Sequence, residues 1–183
     1  MLERQLIEHC SPTLASLKTA NLFSVAYADE EALGYALKEW NAQLCGKGVE
    51  LLVLRRQDRK ALIYVCRKTR LERDLNAPGA PRFLSAYGYV RTDAEYALGR
   101  LKERLAGSSG FPHEIGLFLG YPLGDVIGFI ENAGRNSKCC GCWKVYCNEC
   151  EARRMFARFD KCKDVYRRLW SQGRSVLQLT VAA

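Results

Sequence analysis

Two β-rich runs with only three polar residues between them place the tightest constraint on the fold of this 183-residue chain. Residues 49–56 and 60–66 are rich in Val, Leu and Ile, and the Gln-Asp-Arg between them leaves room for a tight reversal only. This pattern is typical of an antiparallel β-hairpin. The sequence therefore predicts at least a small β-sheet.

Sequence patterns of further helices and strands lie on both sides of this hairpin in the chain. Apolar residues recur at helical spacing from Leu33 to Leu44, and Asp29 before them is a favourable N-terminal cap. Residues 22–28 and 175–181 have the apolar pattern of strands. We therefore predict an α+β fold in which a small mixed sheet of about four strands is covered by helices. The strands are expected to begin at Leu22, Val49, Lys60 and Ser175.

The C-terminal half is predicted to be rich in helix. Helices are expected over residues 2–9, from 11, over 71–76, 81–87, 92–107, 111–120, 122–132 and 149–172. Thr92 with Glu95 forms a capping-box pattern, and the Gly-Ser-Ser-Gly of residues 107–110 predicts a flexible loop. An apolar content of 48% is enough to bury one substantial core, so we expect a single domain over residues 1–183.

Nine cysteines are unevenly distributed, and six of them lie between Cys139 and Cys162. The sequence has neither a signal-peptide pattern nor an apolar run that could cross a membrane, which predicts a cytoplasmic protein with reduced thiols. Cys10, Cys45 and Cys66 lie at or beside apolar stretches, so we expect them in the core. Cys162 falls on the apolar stripe of the last long helix and is expected to pack there as well.

The spacing of four cysteines in the segment 139–150 suggests thiolate chemistry. They form two C-x-x-C pairs separated by four residues, and a pair of this kind can hold a metal ion between two thiolates. The members are Cys139, Cys142, Cys147 and Cys150. Zinc and an iron–sulfur cluster remain open as cofactors, because the spacing partly matches each. A C-x-x-C at a helix start is also compatible with redox chemistry.

The positive charge of the chain is concentrated near its C-terminus. Residues 135–183 hold 11 basic and 4 acidic side chains, whereas residues 1–134 hold 17 and 16. One face of the last long helix, which follows the cysteine segment over 149–172, carries Arg153, Arg154, Arg158 and Lys161. This face can bind an anionic partner or nucleic acid through phosphates, or it can simply be solvated.

A third group of candidates surrounds the Pro112-His113-Glu114 passage. Glycines recur every four residues from Gly116 to Gly128, and aromatic residues lie beside them, which allows a ligand pocket or close helix packing. The candidate pocket residues are His113, Glu114, Gly120 and Tyr121. The alternative is that Glu114 complements a helix N-terminus and His113 binds a loop carbonyl.

Three passages together resemble one protein family. They are FPHEIGLFLGYP running on to DV and GFI in residues 111–130, CWKVY in residues 142–146, and LKTANLF in residues 17–23. They are similar to the bacterial domain-of-unknown-function family 3793. The resemblance implies a cytosolic bacterial protein and carries no catalytic residues over. This chain has Cys147 and Cys150 where the family usually has glycine and polar residues, so a four-cysteine site would belong to this member alone.

These patterns leave three functional hypotheses. The preferred one is a thiolate metal-binding (zinc or iron–sulfur) or redox accessory protein. The second is a non-enzymatic module that binds an anion, nucleic acid or a partner through the basic helix. The third is an enzyme or small-ligand binder centred on His113.

Overall fold

The computed structural model of the chain describes residues 2–107 and 110–182, and it has the predicted α+β composition. Three strands form one antiparallel sheet in the order β1-β3-β2, with β1 at Ala20–Ala26, β2 at Glu50–Gln57 and β3 at Lys60–Cys66. A second sheet pairs two short strands, β4 at Cys139–Cys140 and β5 at Lys144–Val145. Both sheets are antiparallel throughout, and the larger has three strands, so the predicted mixed sheet of about four strands was wrong in these details.

Nine helices accompany the strands in the described residues. In chain order they are α1 Glu3–Leu14, α2 Glu30–Leu44, α3 Lys68–Leu75, α4 Ala80–Ser85, α5 Ala94–Ala106, α6 Ile115–Phe118, α7 Leu123–Glu131, α8 Glu149–Ser171 and α9 Val176–Leu179, with a 3₁₀ turn at Cys45–Lys47. Ser108 and Ser109, in the loop predicted at 107–110, lie outside the described residues.

The central hairpin is confirmed. β2 and β3 pair from Glu50 opposite Cys66 to Gln57 opposite Lys60. Asp58 and Arg59 between them both have positive φ, at 51° and 55°. Two left-handed residues in a two-residue loop match the right-handed twist of a hairpin. The reversal therefore forms without the glycine that such turns usually contain.

The closing strand predicted from Ser175 is wrong, because this segment is the short helix α9. The Ser175 hydroxyl accepts from the backbone N–H of Gln178, and the Gln178 side chain accepts from the backbone N–H of Ser175. This reciprocal capping box satisfies N–H groups at the start of a helix. Local capping overrode the apolar alternation, and the S-x-x-Q pattern was the signal that indicated it.

Three smaller predictions also differ from the structure. The first two helices are one helix, α1, in which Pro12 lies in the last turn and interrupts it little. The cap of α5 is Asp93, whose carboxylate accepts from the N–H of Tyr96, rather than Thr92. Cys10 and Cys66 are buried as expected, but Cys45 is exposed because the 3₁₀ turn that follows Leu44 carries it off the apolar face of α2.

The described chain divides into two compact units, one of residues 2–71 and 162–182 and the other of residues 72–161. In the first unit, the three-stranded sheet packs with α1, α2, α9 and the end of α8 around one apolar core. Cys162 belongs to this core, as its place on the helical stripe predicted. The Tyr166 hydroxyl donates to the Leu179 carbonyl at 2.7 Å, which ties α8 to α9.

Arg67 is an unusual member of the first unit, because its side chain is buried with no carboxylate bonded to it in the described residues. Its guanidinium donates to backbone carbonyls of four residues at 2.7–3.1 Å, two of them at the end of α1. The four are Thr13, Leu14, Lys47 and Val181. Burial lowers the pKa of Arg67. One side chain therefore connects segments that are far apart in the sequence.

The second unit is mainly helical and contains the short β4–β5 hairpin. Its apolar residues come from α3 to α7, from the hairpin and from the first half of α8. Ala152, Phe156 and Phe159 are buried on α8, which confirms the predicted apolar stripe. All the candidate site residues named from the sequence lie in this unit.

Candidate functional site

A cavity of about 490 Å³ lies in the second unit, and we call it the aromatic cavity. Its walls come from two stretches of chain, one around α6 and α7 and one from the β4–β5 hairpin. The aromatic members of the lining are Phe111, His113, Tyr121, Phe129 and Trp143, and the others are Ile115, Gly116, Leu119, Asp125, Val126, Cys140, Gly141, Cys142 and Lys144. Of the predicted pocket residues, His113 and Tyr121 line this cavity.

Trp143 holds the hairpin side of the aromatic cavity in place. Its ring stacks on Tyr121 with centroids 4.9 Å apart, and its edge meets Phe156 of α8 at 4.6 Å. Tyr121 is largely buried, and burial raises its pKa to about 12. Its hydroxyl donates to the Cys142 carbonyl at 3.2 Å. Aromatic pairs of this geometry add to the stability that burial already provides.

Asp125 of α7 fastens the hairpin to the helix. Its carboxylate is buried and accepts three hydrogen bonds of 2.8 Å, from the indole Nε1 of Trp143 and from the backbone N–H groups of Tyr146 and Cys147. A buried carboxylate is tolerated where several donors satisfy it. Sequence reasoning missed this residue, although an acid on the apolar helix α7 was a signal for a buried partner.

Two of the regularly spaced glycines let the hairpin approach α7 closely. A Cβ atom at Gly128 would lie 2.5 Å from Cγ of Tyr146, and one at Gly124 would lie 2.5 Å from Sγ of Cys147. Real Cβ atoms do not approach other heavy atoms so closely, so no larger residue fits without movement. Close packing and the cavity were alternative interpretations of these glycines, and the structure has both.

His113 and Glu114 point in different directions. His113 is exposed, and its ring meets that of Phe129 edge-on at 5.1 Å. The Glu114 side chain is buried and forms no capping bond at the start of α6. It accepts instead from the Tyr89 hydroxyl at 3.1 Å and from Nε of Arg104. Glu114 was expected in a pocket with His113 or as a complement to the helix N-terminus; it does not line the aromatic cavity, but it lines a second cavity together with His113.

A second cavity of about 230 Å³ adjoins the first, and we call it the polar cavity. Phe111 and His113 line both cavities. The remaining lining residues of the polar cavity are Tyr87, Arg104, Gly110, Pro112, Glu114 and Ile130. Gly120 lines neither cavity and occupies the left-handed turn, at φ 75°, between α6 and Tyr121. Phe111 and His113 therefore border both an apolar and an ionic environment.

The cysteines of the segment 139–150 are distributed over the hairpin and the start of α8. Cys139 and Cys140 form β4, and Cys142 lies in the reversal. Cys147 packs against Gly124, and Cys150 is exposed in the first turn of α8. Partial burial raises the pKa of the Cys147 thiol, and the negative charge of Asp125 raises it further by a smaller amount.

The described residues contain no group of three or more His, Cys, Asp or Glu side chains that could hold a metal ion. The metal site at Cys139, Cys142, Cys147 and Cys150 therefore stays a prediction from spacing. Cys140 and Cys142 do line the aromatic cavity, which gives two thiols a place beside any ligand bound there.

The basic face of α8 is exposed, as its spacing predicted. Arg153 forms an ion pair with Glu149 one turn earlier, at 2.7 Å. Arg154, Arg158 and Lys161 are exposed and form no ion pair within the described part of the chain. Asn148 caps the helix: its Oδ1 accepts from the backbone N–H of Glu151, and its Nδ2 donates to the Glu151 carboxylate.

Comparison with known proteins identifies the family. The family model described as "Protein of unknown function (DUF3793)" matches residues 6–180, which is nearly the whole chain. The chain belongs to the DUF3793 family. No curated protein and no solved structure matches it. The passages FPHEIGLFLGYP and CWKVY, which carried the resemblance, supply most of the aromatic cavity of this DUF3793 chain.

None of the helices described for the DUF3793 chain is both long enough and apolar enough to span a membrane.

Proposed function

We propose that this DUF3793 protein binds a small, largely apolar and planar ligand in the aromatic cavity. The observation that carries the proposal is the cavity itself, whose volume of about 490 Å³ lies in the range that small-molecule sites occupy. Its lining is mainly aliphatic and aromatic, with few polar groups. This composition favours flat hydrocarbon or heteroaromatic rings, which can stack on side chains such as Trp143 and Phe129.

The expected affinity is moderate. A bicyclic ligand that gains roughly 0.4 kcal/mol per heavy atom from burial binds with a Kd on the order of 100 µM. Hydrogen bonds to polar groups of the natural ligand would strengthen binding and lower this Kd. Simple aromatic probes are therefore sufficient to detect the site.

Tryptophan fluorescence is the direct test of the proposal. Trp40 and Trp170 are first replaced by Phe, so that Trp143 in the cavity wall is the only indole. We expect bicyclic aromatic amides and ketones to change its emission saturably. Failure of every such compound to do so at millimolar concentration would contradict the proposal.

A matched pair of variants provides the control. Phe111 lines the cavity and is 45% exposed, so Phe111→Ala removes a ligand contact without opening a core. Tyr35, on α2 in the other unit, is 67% exposed and serves as the reference for Tyr35→Ala. We expect binding to weaken several-fold in Phe111→Ala and to be unchanged in Tyr35→Ala. Equal behaviour of the two variants would locate the binding elsewhere.

A second candidate function is the binding of an anionic partner by the basic face of α8. It is supported by the exposure of Arg154, Arg158 and Lys161 at positions one and two turns apart, without ion pairs among the described residues. We expect binding to a nucleic-acid duplex or polyphosphate that weakens steeply with salt and is lost in the triple alanine variant. Binding that is unaffected by either change would argue against this function.

We also propose a cytoplasmic location, which the nine free thiols support.

A further inference from the structure

We propose that the ligand of the aromatic cavity carries a neutral group with a hydrogen-bond donor beside an acceptor, such as an amide or lactam edge, which Glu114 and Arg104 bind in the polar cavity. This inference rests on the proposed function and specifies its ligand class. The two cavities share the Phe111 and His113 walls, so one ligand can place its rings on one side and its polar group on the other.

The first observation is an incompletely bonded carboxylate. The Glu114 side chain is only 1% exposed and lines the polar cavity. Its Oε1 accepts from Tyr89 and Arg104, whereas Oε2 is buried and receives no hydrogen bond from the residues that the structure describes. A buried acceptor without a donor is costly, and more so when it is charged. A ligand that donates to Oε2 removes this cost.

The second observation is the guanidinium of Arg104. Its side chain is 26% exposed and lines the same cavity, and Nε is its only nitrogen bonded to another described residue. The two terminal nitrogens are therefore available as donors. Beside the Glu114 acceptor, they form a mixed acceptor and donor edge. An amide or lactam presents the complementary pair.

The charges around the polar cavity do not favour a cationic group. Its lining carries one guanidinium, Arg104, and one carboxylate, Glu114, and the nearby Arg100 is already paired with Glu103 at 2.9 Å. A ligand amine would donate to Glu114 but would face the Arg104 cation at close range. A ligand carboxylate would face Arg104 favourably but would repel Oε2. A neutral group that both donates and accepts satisfies the site completely.

Three probes of the same shape test this assignment in calorimetric titrations of the full chain. They are 2-naphthamide, its methyl ketone counterpart 2-acetylnaphthalene, and 2-naphthoate. We expect the amide to bind about 10- to 100-fold more tightly than the ketone, since only the amide donates to Oε2. We also expect the naphthoate to bind more weakly than the amide. Tighter binding of the naphthoate, or equal binding of amide and ketone, would overturn the inference.

Glu114→Gln tests the identity of the acceptor. The glutamine oxygen is expected to keep the Tyr89 and Arg104 bonds, so that its nitrogen replaces Oε2 with a donor. The preference for the amide over the ketone should then disappear or reverse. A preference that persists in the folded variant would show that Glu114 is not the acceptor.

Two further variants keep the test decisive if Glu114→Gln does not fold. Phe111→Ala should weaken amide and ketone equally and leave their ratio unchanged. Arg104→Lys, at a partly exposed position, should also weaken amide and ketone alike, because both accept from the guanidinium through a carbonyl oxygen, and should leave the ratio set by Oε2 in place. If no probe binds at all, the proposed function itself fails; if all three bind alike and Phe111→Ala weakens them, only the ligand class is refuted.

Discussion

Replacing Asp125 by Asn should loosen the β4–β5 hairpin from α7 with little change in side-chain volume. In the native protein, Oδ1 accepts from the N–H groups of Tyr146 and Cys147, and Oδ2 accepts from the Trp143 indole. The Asn oxygen can keep the two backbone bonds. Its NH₂ group then faces the indole N–H, so that two donors oppose each other in a buried site.

The magnitude follows from the bonds that are changed. Hydrogen bonds to a charged group contribute about 1.5–3 kcal/mol each, and a buried donor without an acceptor costs about 1–3 kcal/mol. Asp125→Asn loses one bond, weakens two and creates an opposed donor pair. We therefore expect a loss of about 2–4 kcal/mol in the free energy of unfolding, measured by urea denaturation with circular dichroism detection.

A double-mutant cycle with Trp143→Phe isolates the cause. Phe at this position has no N–H, so the donor conflict disappears when both changes are present. We expect the double variant to be about 1–2 kcal/mol more stable than the sum of the single effects predicts. Additivity within about 0.5 kcal/mol, or a loss below about 0.5 kcal/mol for Asp125→Asn alone, would refute the assigned hydrogen-bond arrangement.

Three further predictions concern the rest of the chain. Arg67→Lys should lower the free energy of unfolding by about 2–4 kcal/mol in urea denaturation, because one ammonium cannot reach four carbonyls, and a change below about 1 kcal/mol would contradict this role. In alkylation followed by mass spectrometry, the exposed cysteines should be labelled first, and these are Cys45, Cys140, Cys147 and Cys150. The buried Cys10, Cys66 and Cys162 should be labelled later, and early labelling of these three would contradict the fold. The urea midpoint should fall as the pH rises above 9, since burial raises the pKa of Cys66 from 9.0 to about 12 and that of Cys162 to about 11, so the unfolded chain loses these protons first. A urea midpoint that stays constant well above pH 9 would contradict the assigned burial of these two thiols.

The parts of the fold that the sequence predicted are those that depend on neighbouring residues. The β2–β3 hairpin and the amphipathic helices α2 and α8 follow from period and capping, which act over a few positions. The prediction of a strand from Ser175 was wrong because two local signals competed there, and the Ser175–Gln178 capping box prevailed over apolar alternation. The prediction that Cys45 is buried was wrong because a single 3₁₀ turn changes which side of the chain faces the core.

The sequence predicted only some of the residues that form the candidate site. His113 and Tyr121 were named from the aromatic and glycine pattern, and both line the aromatic cavity. Trp143 and Asp125 were not named, because their role requires a hairpin 18 residues away to fold back onto α7. Likewise, no sequence pattern couples Glu114 with Tyr89 and Arg104. Tertiary pairing of this kind leaves no periodic trace in a single sequence.

The aromatic cavity and the stability of the second unit depend on the same contacts. Its two walls, around α7 and from the β4–β5 hairpin, are joined through Asp125 and the Trp143–Tyr121 stack. A ligand that contacts both walls binds the folded state only, and at a concentration of 100 times its Kd it adds about 2.7 kcal/mol to the free energy of unfolding. That amount is comparable to the expected loss in Asp125→Asn. Ligand and carboxylate therefore act on one equilibrium, the attachment of the hairpin to α7, and a true ligand should restore much of the stability that the Asn variant loses.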